Sequence, residues 1–163
     1  MDGGIYLLLG SNLGNRLEQL TEARSRIAPF APIAFQSPLY MTGAWGNKLQ
    51  PDFINQALEV KTQLPPEQLL QKLLMVEIEM GRVRLEKWGP RIIDIDIIFY
   101  NDVVTSSTSL TLPHPELPNR RFALEPLNSL APQFVHPVLK KNIQQLLAEC
   151  TDPTTVTRLP LQQ

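Results

Sequence analysis

The chain has 163 residues, a formal net charge of −1 and one cysteine. That length suits one domain with its own core, and near-neutral charge leaves no global attraction for nucleic acid or a membrane surface. A lone Cys150 excludes an internal disulfide and a cysteine-based zinc site.

No apolar run approaches the ~18 residues of a membrane span. Met1-Asp2-Gly3-Gly4 lacks the basic and apolar regions of a secretory signal, so a cytoplasmic protein is expected.

Residues 5–9 form an apolar run ending at Gly10, which predicts a buried strand. Ser11 or Asn12 is placed to cap a following helix, where Leu13, Leu17, Leu20, Ala23 and Ile27 recur at helical spacing. A second strand is predicted over 33–40, and a third over 53–62 after the loop Thr42-Gly43-Ala44-Trp45-Gly46-Asn47. Pro66 and Glu67 open a second helix that stops at Gly81. A strand from Asp94 through Tyr100 follows a basic loop.

This order is the split βαβ, ferredoxin-like βαββαβ pattern of an α+β protein. It predicts an antiparallel sheet with both helices on one face and the other face available for a site. A hairpin over 103–112 and helices over 121–130 and 140–149 complete a single domain spanning 1–150. The Thr/Pro-rich tail, 151–163, is expected to be poorly ordered. The fifteen prolines fall mainly at element boundaries.

The most informative segment is 81–97. Along a strand, residues two apart share a face, so Asp94 and Asp96 project together while Ile93, Ile95 and Ile97 fill the opposite side. Neighbouring carboxylates repel unless a cation lies between them. Oxygen ligands on a rigid element suit Mg²⁺, which completes its shell with substrate phosphates. The preceding loop carries Arg82, Arg84, Lys87 and Arg91 against Glu86 alone, with Trp88 in its middle. Arg binds phosphate oxygens bidentately, so the segment points to magnesium-dependent phosphate transfer. Alternating Asp and Ile also describes a strand with one wet face, although Asp is a poor strand former.

Other groups carry two readings each. Gly10 to Asn15 resembles a phosphate loop by position but lacks its Gly-Lys-Ser/Thr, so a capped helix start is the plainer account. Glu77 lies beside the apolar stripe of the second helix, where a salt bridge with Arg82 or Arg84 would satisfy it. His114 between two prolines is either a locally bonded loop histidine or a phosphate donor supported by Arg120 and Arg121. Trp45, Phe53 and Phe122 suit core or loop packing. Asn55 interrupts an apolar strand and can read a flat heterocycle through both donor and acceptor.

Taken together, Arg82-Val83-Arg84, Lys87-Trp88-Gly89-Pro90-Arg91, Asp94-Ile95-Asp96-Ile97, Pro113-His114 and Asn119-Arg120 resemble the 6-hydroxymethyl-7,8-dihydropterin pyrophosphokinases of folate synthesis. Leu9-Gly10-Ser11-Asn12-Leu13-Gly14 and Pro51-Asp52-Phe53-Ile54-Asn55 match in the same order. The resemblance covers roughly 5–150. It implies transfer of pyrophosphate from ATP to the pterin hydroxymethyl group, releasing AMP. By it, Asp94 and Asp96 bind two Mg²⁺ ions, and Arg82 and Arg91 stabilise the transferred group. Glu77, Arg84, Trp88, Ile97, Thr111, His114 and Arg120 hold ATP. Thr42, Gly43, Trp45, Phe53, Asn55 and Phe122 form the pterin pocket. It further implies a monomer with small-molecule substrates and no nucleic-acid partner.

Leu74, Ser109, Pro115 and the Gly43-Ala44-Trp45 stretch depart from the family pattern. Two other classes stay open on the residues alone. A ferredoxin-like RNA-binding module would need exposed aromatics on its central strands, and a metal-dependent nuclease or phosphatase also uses paired carboxylates.

Overall fold

The computed structural model describes residues 3–43, 52–81 and 92–160. Its centre is β1 (Ile5–Ser11), buried along its whole length. It pairs antiparallel with β4 (Phe53–Val60) on one side and β5 (Asp94–Tyr100) on the other. A strand covered on both faces must be apolar on both, which is why 5–9 reads as a continuous hydrophobic run.

The second predicted strand exists but is broken. β2 (Ile33–Gln36) and β3 (Tyr40–Thr42) both pair antiparallel with β4, one after the other along its length. Pro38 lacks the N–H that a ladder needs. Ser37 bridges the gap: its N–H donates to the Ala57 carbonyl at 2.9 Å, and its Oγ accepts from the Ala57 N–H at 2.9 Å. With β2 and β3 taken as one broken strand, the order β5-β1-β4-β3 is the ferredoxin-like arrangement.

Helices α1 (Arg16–Ile27) and α2 (Pro66–Glu79) cover one face, as predicted. Leu20, Ala23 and Ile27 of α1, with Leu69, Leu73 and Val76 of α2, bury against Leu7, Leu9, Leu58 and Ile95. Each fully buried aliphatic side chain contributes roughly 1.5–3 kcal/mol. The cap of α1 is Asn15, whose side chain accepts from the Glu18 N–H at 3.2 Å, rather than Ser11 or Asn12. Ser11 is still in β1, and Asn12 is buried. Gly81 ends α2 at φ +89°, a backbone conformation that glycine adopts without strain.

The opposite face is not left open along its whole length. α3 (Arg121–Leu130) and α4 (Ile143–Glu149) pack there, burying Leu124, Leu127, Ile143 and Leu146 against Tyr6, Leu8, Ala57 and Phe99. Phe134 stacks between Tyr6 and Phe99, with ring centroids 5.0 and 4.7 Å away. The hairpin narrows to β6 (Thr105–Ser106) paired with β7 (Thr111–Leu112). The tail is not loose over 156–158: β8 (Val156–Arg158) pairs antiparallel with β3. No described helix is long and apolar enough to cross a membrane.

His136 is 5 % exposed and lies edge-on to Phe99 at 5.5 Å. Its Nδ1 accepts the N–H groups of Val138 and Leu139 at 3.2 and 3.0 Å. Burial holds its pKa below the ordinary 6.5. The unfolded chain therefore binds a proton that the folded chain refuses, and stability falls as pH drops through about 6.5. Thermal melts between pH 7.5 and 5 should show this decline, with a shallower slope in His136→Asn. An unchanged slope would remove His136 from the effect.

Candidate active site

The pairing registers place the candidate residues in adjacent rows across the sheet. Gly10 stands opposite Asp94 on β5 and Asn55 on β4, and Asn55 stands opposite Tyr40 on β3. The next rows put Asp96 opposite Leu8, and Thr42 opposite Phe53. Directly opposed residues share a face, so Asp94, Asp96, Phe53, Asn55 and Thr42 all project toward the side that α3 partly covers. Strands lie about 4.8 Å apart, which puts Asp94 and Asn55 about 10 Å apart across Gly10. That span fits a small flat molecule meeting a bound nucleotide.

Gly10 is what lets Asn55 occupy the middle. A Cβ at Gly10 would meet Asn55 Nδ2 at 2.5 Å and Phe53 Cδ1 at 3.7 Å. Asn55 Nδ2 donates to the Leu9 carbonyl at 3.3 Å. Asn55 Oδ1 and Thr42 Oγ1 are buried and have no hydrogen-bond partner among the described residues. An unsatisfied buried polar atom costs about 1–3 kcal/mol. Two such atoms beside the Phe53 ring match a flat ligand with a polar edge. Glycine in the middle of an apolar strand is the signal that marks this close approach.

At the other end, Asp94 is half-buried and Asp96 exposed. The segment after β7 runs beside β5, with the His114 N–H donating to the Ile98 carbonyl at 3.0 Å. His114 Nδ1 accepts from the Glu116 N–H at 3.3 Å, which leaves the ring proton on Nε2. Burial lowers the His114 pKa below 6.5; the Asp96 charge opposes this, Arg120 adds to it and Glu116 opposes it. The ring is therefore a neutral donor at pH 7 rather than a cation. The Arg120 guanidinium lies 5.8 Å from the Phe122 ring centre, so cation and aromatic travel together.

The remaining candidates separate from this face. The Ile97 side chain is 3 % exposed and packs into the α1/α2 core, so only its backbone is available to a ligand. Glu77 is also buried, and its Oε2 accepts from the Ile95 N–H at 2.7 Å, binding α2 to the edge strand β5. Ser109 Oγ donates to Glu67 Oε2 at 2.7 Å, so its place in the hairpin is tied to the start of α2. Leu74 and Pro115 are exposed. Thr111 lines a cleft of about 440 Å³ with Leu112, His114, His136 and Val138. Neither aspartate borders that cleft. Gly43 is exposed at the end of β3. Trp45, Arg82, Arg84, Trp88 and Arg91 lie outside the described residues.

Among the described residues, no cluster of three or more His, Cys, Asp or Glu side chains forms a complete metal cage. Two adjacent carboxylates suit Mg²⁺ nevertheless, because Mg²⁺ binds through one or two carboxylates and takes its other ligands from phosphates and water.

Residues 6–132 match the model of the 7,8-dihydro-6-hydroxymethylpterin-pyrophosphokinase family. The chain belongs to this family. A 2-amino-4-hydroxy-6-hydroxymethyldihydropteridine pyrophosphokinase of Aquifex aeolicus is 41% identical over 147 residues, covering 90% of this chain and 92% of its own. The folic acid synthesis protein fol1 of Pneumocystis carinii is 38% identical over 157 residues, covering 96% of this chain, which spans only 21% of that protein. A crystal structure of Plasmodium falciparum HPPK-DHPS superimposes with a TM-score of 0.70 at 17% identity. The superposition covers 90% of this chain and 43% of that one, and it shows the shared fold. As a member of this pyrophosphokinase family, the chain is a pyrophosphoryl-transferring enzyme.

Gly10→Ala should raise the KM for the pterin about tenfold and leave the KM for ATP within twofold, since the new methyl displaces one buried hydrogen-bonding side chain. Steady-state kinetics with each substrate varied in turn would read this. An equal rise for ATP would show that Gly10 acts on the fold rather than on the Asn55 end of the face.

Proposed function

We propose that this face of the sheet transfers pyrophosphate from ATP to the hydroxymethyl oxygen of 6-hydroxymethyl-7,8-dihydropterin, giving the pterin diphosphate and AMP for tetrahydrofolate synthesis. One observation carries the reading. Asn55 Oδ1 and Thr42 Oγ1, which have no hydrogen-bond partner among the described residues, lie on the same sheet face as the Asp94/Asp96 pair, about two and three strand spacings away respectively.

In this reading Asn55 and Thr42 bond the pterin edge, and Phe53 and Phe122 stack on its rings. Asp94 and Asp96 hold two Mg²⁺ ions. The bound metal would supply neutralising charge along the triphosphate and lower the barrier at the attacking oxygen. The pterin hydroxyl attacks the β-phosphorus in line, the new O–P bond forms, the bond to the AMP oxygen breaks, and the hydroxyl proton is released to water. Such a transition state spreads charge over phosphoryl oxygens, so positioning and electrostatics supply most of the acceleration. Arg82 and Arg91 would stabilise that charge. Arg84, Trp88, His114, Arg120 and Thr111 would hold the nucleotide, with Glu77 fixing β5 and Ile97 offering its backbone. The reading extends to a monomer working in the cytoplasm, as the single cysteine and modest net charge favour.

Incubation with Mg-ATP and the reduced hydroxymethylpterin should give AMP and the pterin diphosphate. AMP without the acceptor would favour a nuclease or phosphatase instead. Asp94→Ala and Asp96→Ala should each lower turnover by on the order of a hundredfold or more, because the charge that organises the phosphates is lost. Near-normal turnover in either would refute the metal assignment. Asn55→Ala should weaken pterin binding about tenfold and spare ATP.

A further inference from the structure

α3 begins with the Arg120–Phe122 pair, yet its first turn is poorly held by the helix itself. Its N-cap position, Arg120, makes no side-chain cap bond. Pro126 lies inside the helix, so the carbonyl of Phe122 lacks the N–H that would normally reach it from four residues on. The missing cap comes from the tail. Asp152 Oδ2 accepts the Arg121 N–H at 3.0 Å, an N-terminal amide that the helix cannot satisfy. The Arg121 side chain returns two bonds, Nε to the Asp152 carbonyl at 3.1 Å and Nη2 to the Cys150 carbonyl at 3.0 Å. Thr154 fixes the other carboxylate oxygen, its N–H and Oγ1 donating to Asp152 Oδ1 at 3.0 and 2.6 Å. Glu125, one turn along α3, stands 4.0 Å from Arg121 Nη1.

The same tail then enters the sheet as β8, with Val156 opposite Thr42 and Arg158 opposite Tyr40. It therefore touches both walls of the pterin end, β3 and the start of α3. Asp152 lies beyond the 6–132 stretch that matches the family model.

We propose that Asp152 is a positioning residue for the reaction, a cap supplied from the tail that sets the Arg120–Phe122 pair against the reactive face of the sheet. The proposal rests on the site roles given above to Arg120 and Phe122. A carboxylate at a helix N-terminus also opposes the positive end of the helix dipole, so its charge and its hydrogen bond act in the same direction.

Asp152→Ala in the full chain should raise the KM for ATP and for the pterin about fivefold to tenfold, the range that loss of one helix cap supports. The kcat should change less than twofold. Asp152→Asn, which keeps a neutral acceptor, should recover part of this. Thr154→Val removes one bond to the same carboxylate and should raise both constants about twofold, giving a milder variant if Asp152→Ala does not fold. The deciding measurement is a double-mutant cycle. If Asp152 acts through Arg120, the double variant Asp152→Ala/Arg120→Ala has the ATP KM of Arg120→Ala alone; additive effects would overturn the proposal. A lowered melting temperature with unchanged Michaelis constants would also overturn it, leaving Asp152 a purely structural cap. If Arg120→Ala and Phe122→Ala both leave the Michaelis constants unchanged, the site assignment itself falls and takes the proposal with it. If those two act and Asp152→Ala is silent, the tail alone is wrong.

Discussion

The register of β1 against its two neighbours is the constraint from which the site follows. Ile5 pairs with Val60 and Gly10 with Asn55 on one side, while Gly10 pairs with Asp94 on the other. Side chains alternate along a strand, so a one-residue slip of β5 would send Asp94 and Asp96 into the α1/α2 core and bring Ile95 into the open. Burying two carboxylates there is far more costly than any loop rearrangement. The apolar faces of β1 and β5 thus fix where the acids point, and the site needs no separate device to orient them. A register irregularity between Tyr6 and Leu7 lies away from the Gly10 row, so the paired geometry at the site is regular.

Two cores of different character support this arrangement. The α1/α2 side is aliphatic and closes one face of the sheet. The α3/α4 side is partly aromatic at the end of the face remote from Gly10, where Tyr6, Phe99, Phe134 and His136 meet, and α3 reaches back to the Gly10 row through the Ser129–Tyr40 hydroxyl pair. Tyr6 stands opposite Glu59 there, and burial with the neighbouring carboxylate pushes its phenol up to about 12. Toward the Gly10 end lie Asn55 Oδ1 and Thr42 Oγ1, buried and without a hydrogen-bond partner among the described residues.

The parts of this structure that were legible in the sequence are those governed by periodicity. Alternation over 93–97 gave both the strand and the facing of its acids, and the helical spacing over 17–27 gave α1. What stayed hidden depends on backbone partners, which leave no mark on residue type. Glu77 serves the Ile95 N–H, a group that every non-proline residue carries. Asn15 rather than Ser11 caps α1 because β1 runs on through Ser11. The strand at 156–158 escaped notice for a similar reason: three residues among prolines and threonines are too few to show a period, and pairing with β3 supplies the order. Asp152 falls in this class too, since its partner amide is thirty-one residues away.

Both rims of the sheet are awkward templates for another molecule. Along the β5 rim the Ile98 carbonyl is taken by His114 and the Ile95 N–H by Glu77. The opposite rim is divided between β2, four residues long, and β8, three residues long with Thr157 and Arg158 exposed. Long, flat, unpaired rims seed fibrillar growth, and short or obstructed ones resist it. By pairing with β3, the tail strand thus covers one sheet rim with another that is itself only three residues long and offers little backbone for another chain to extend.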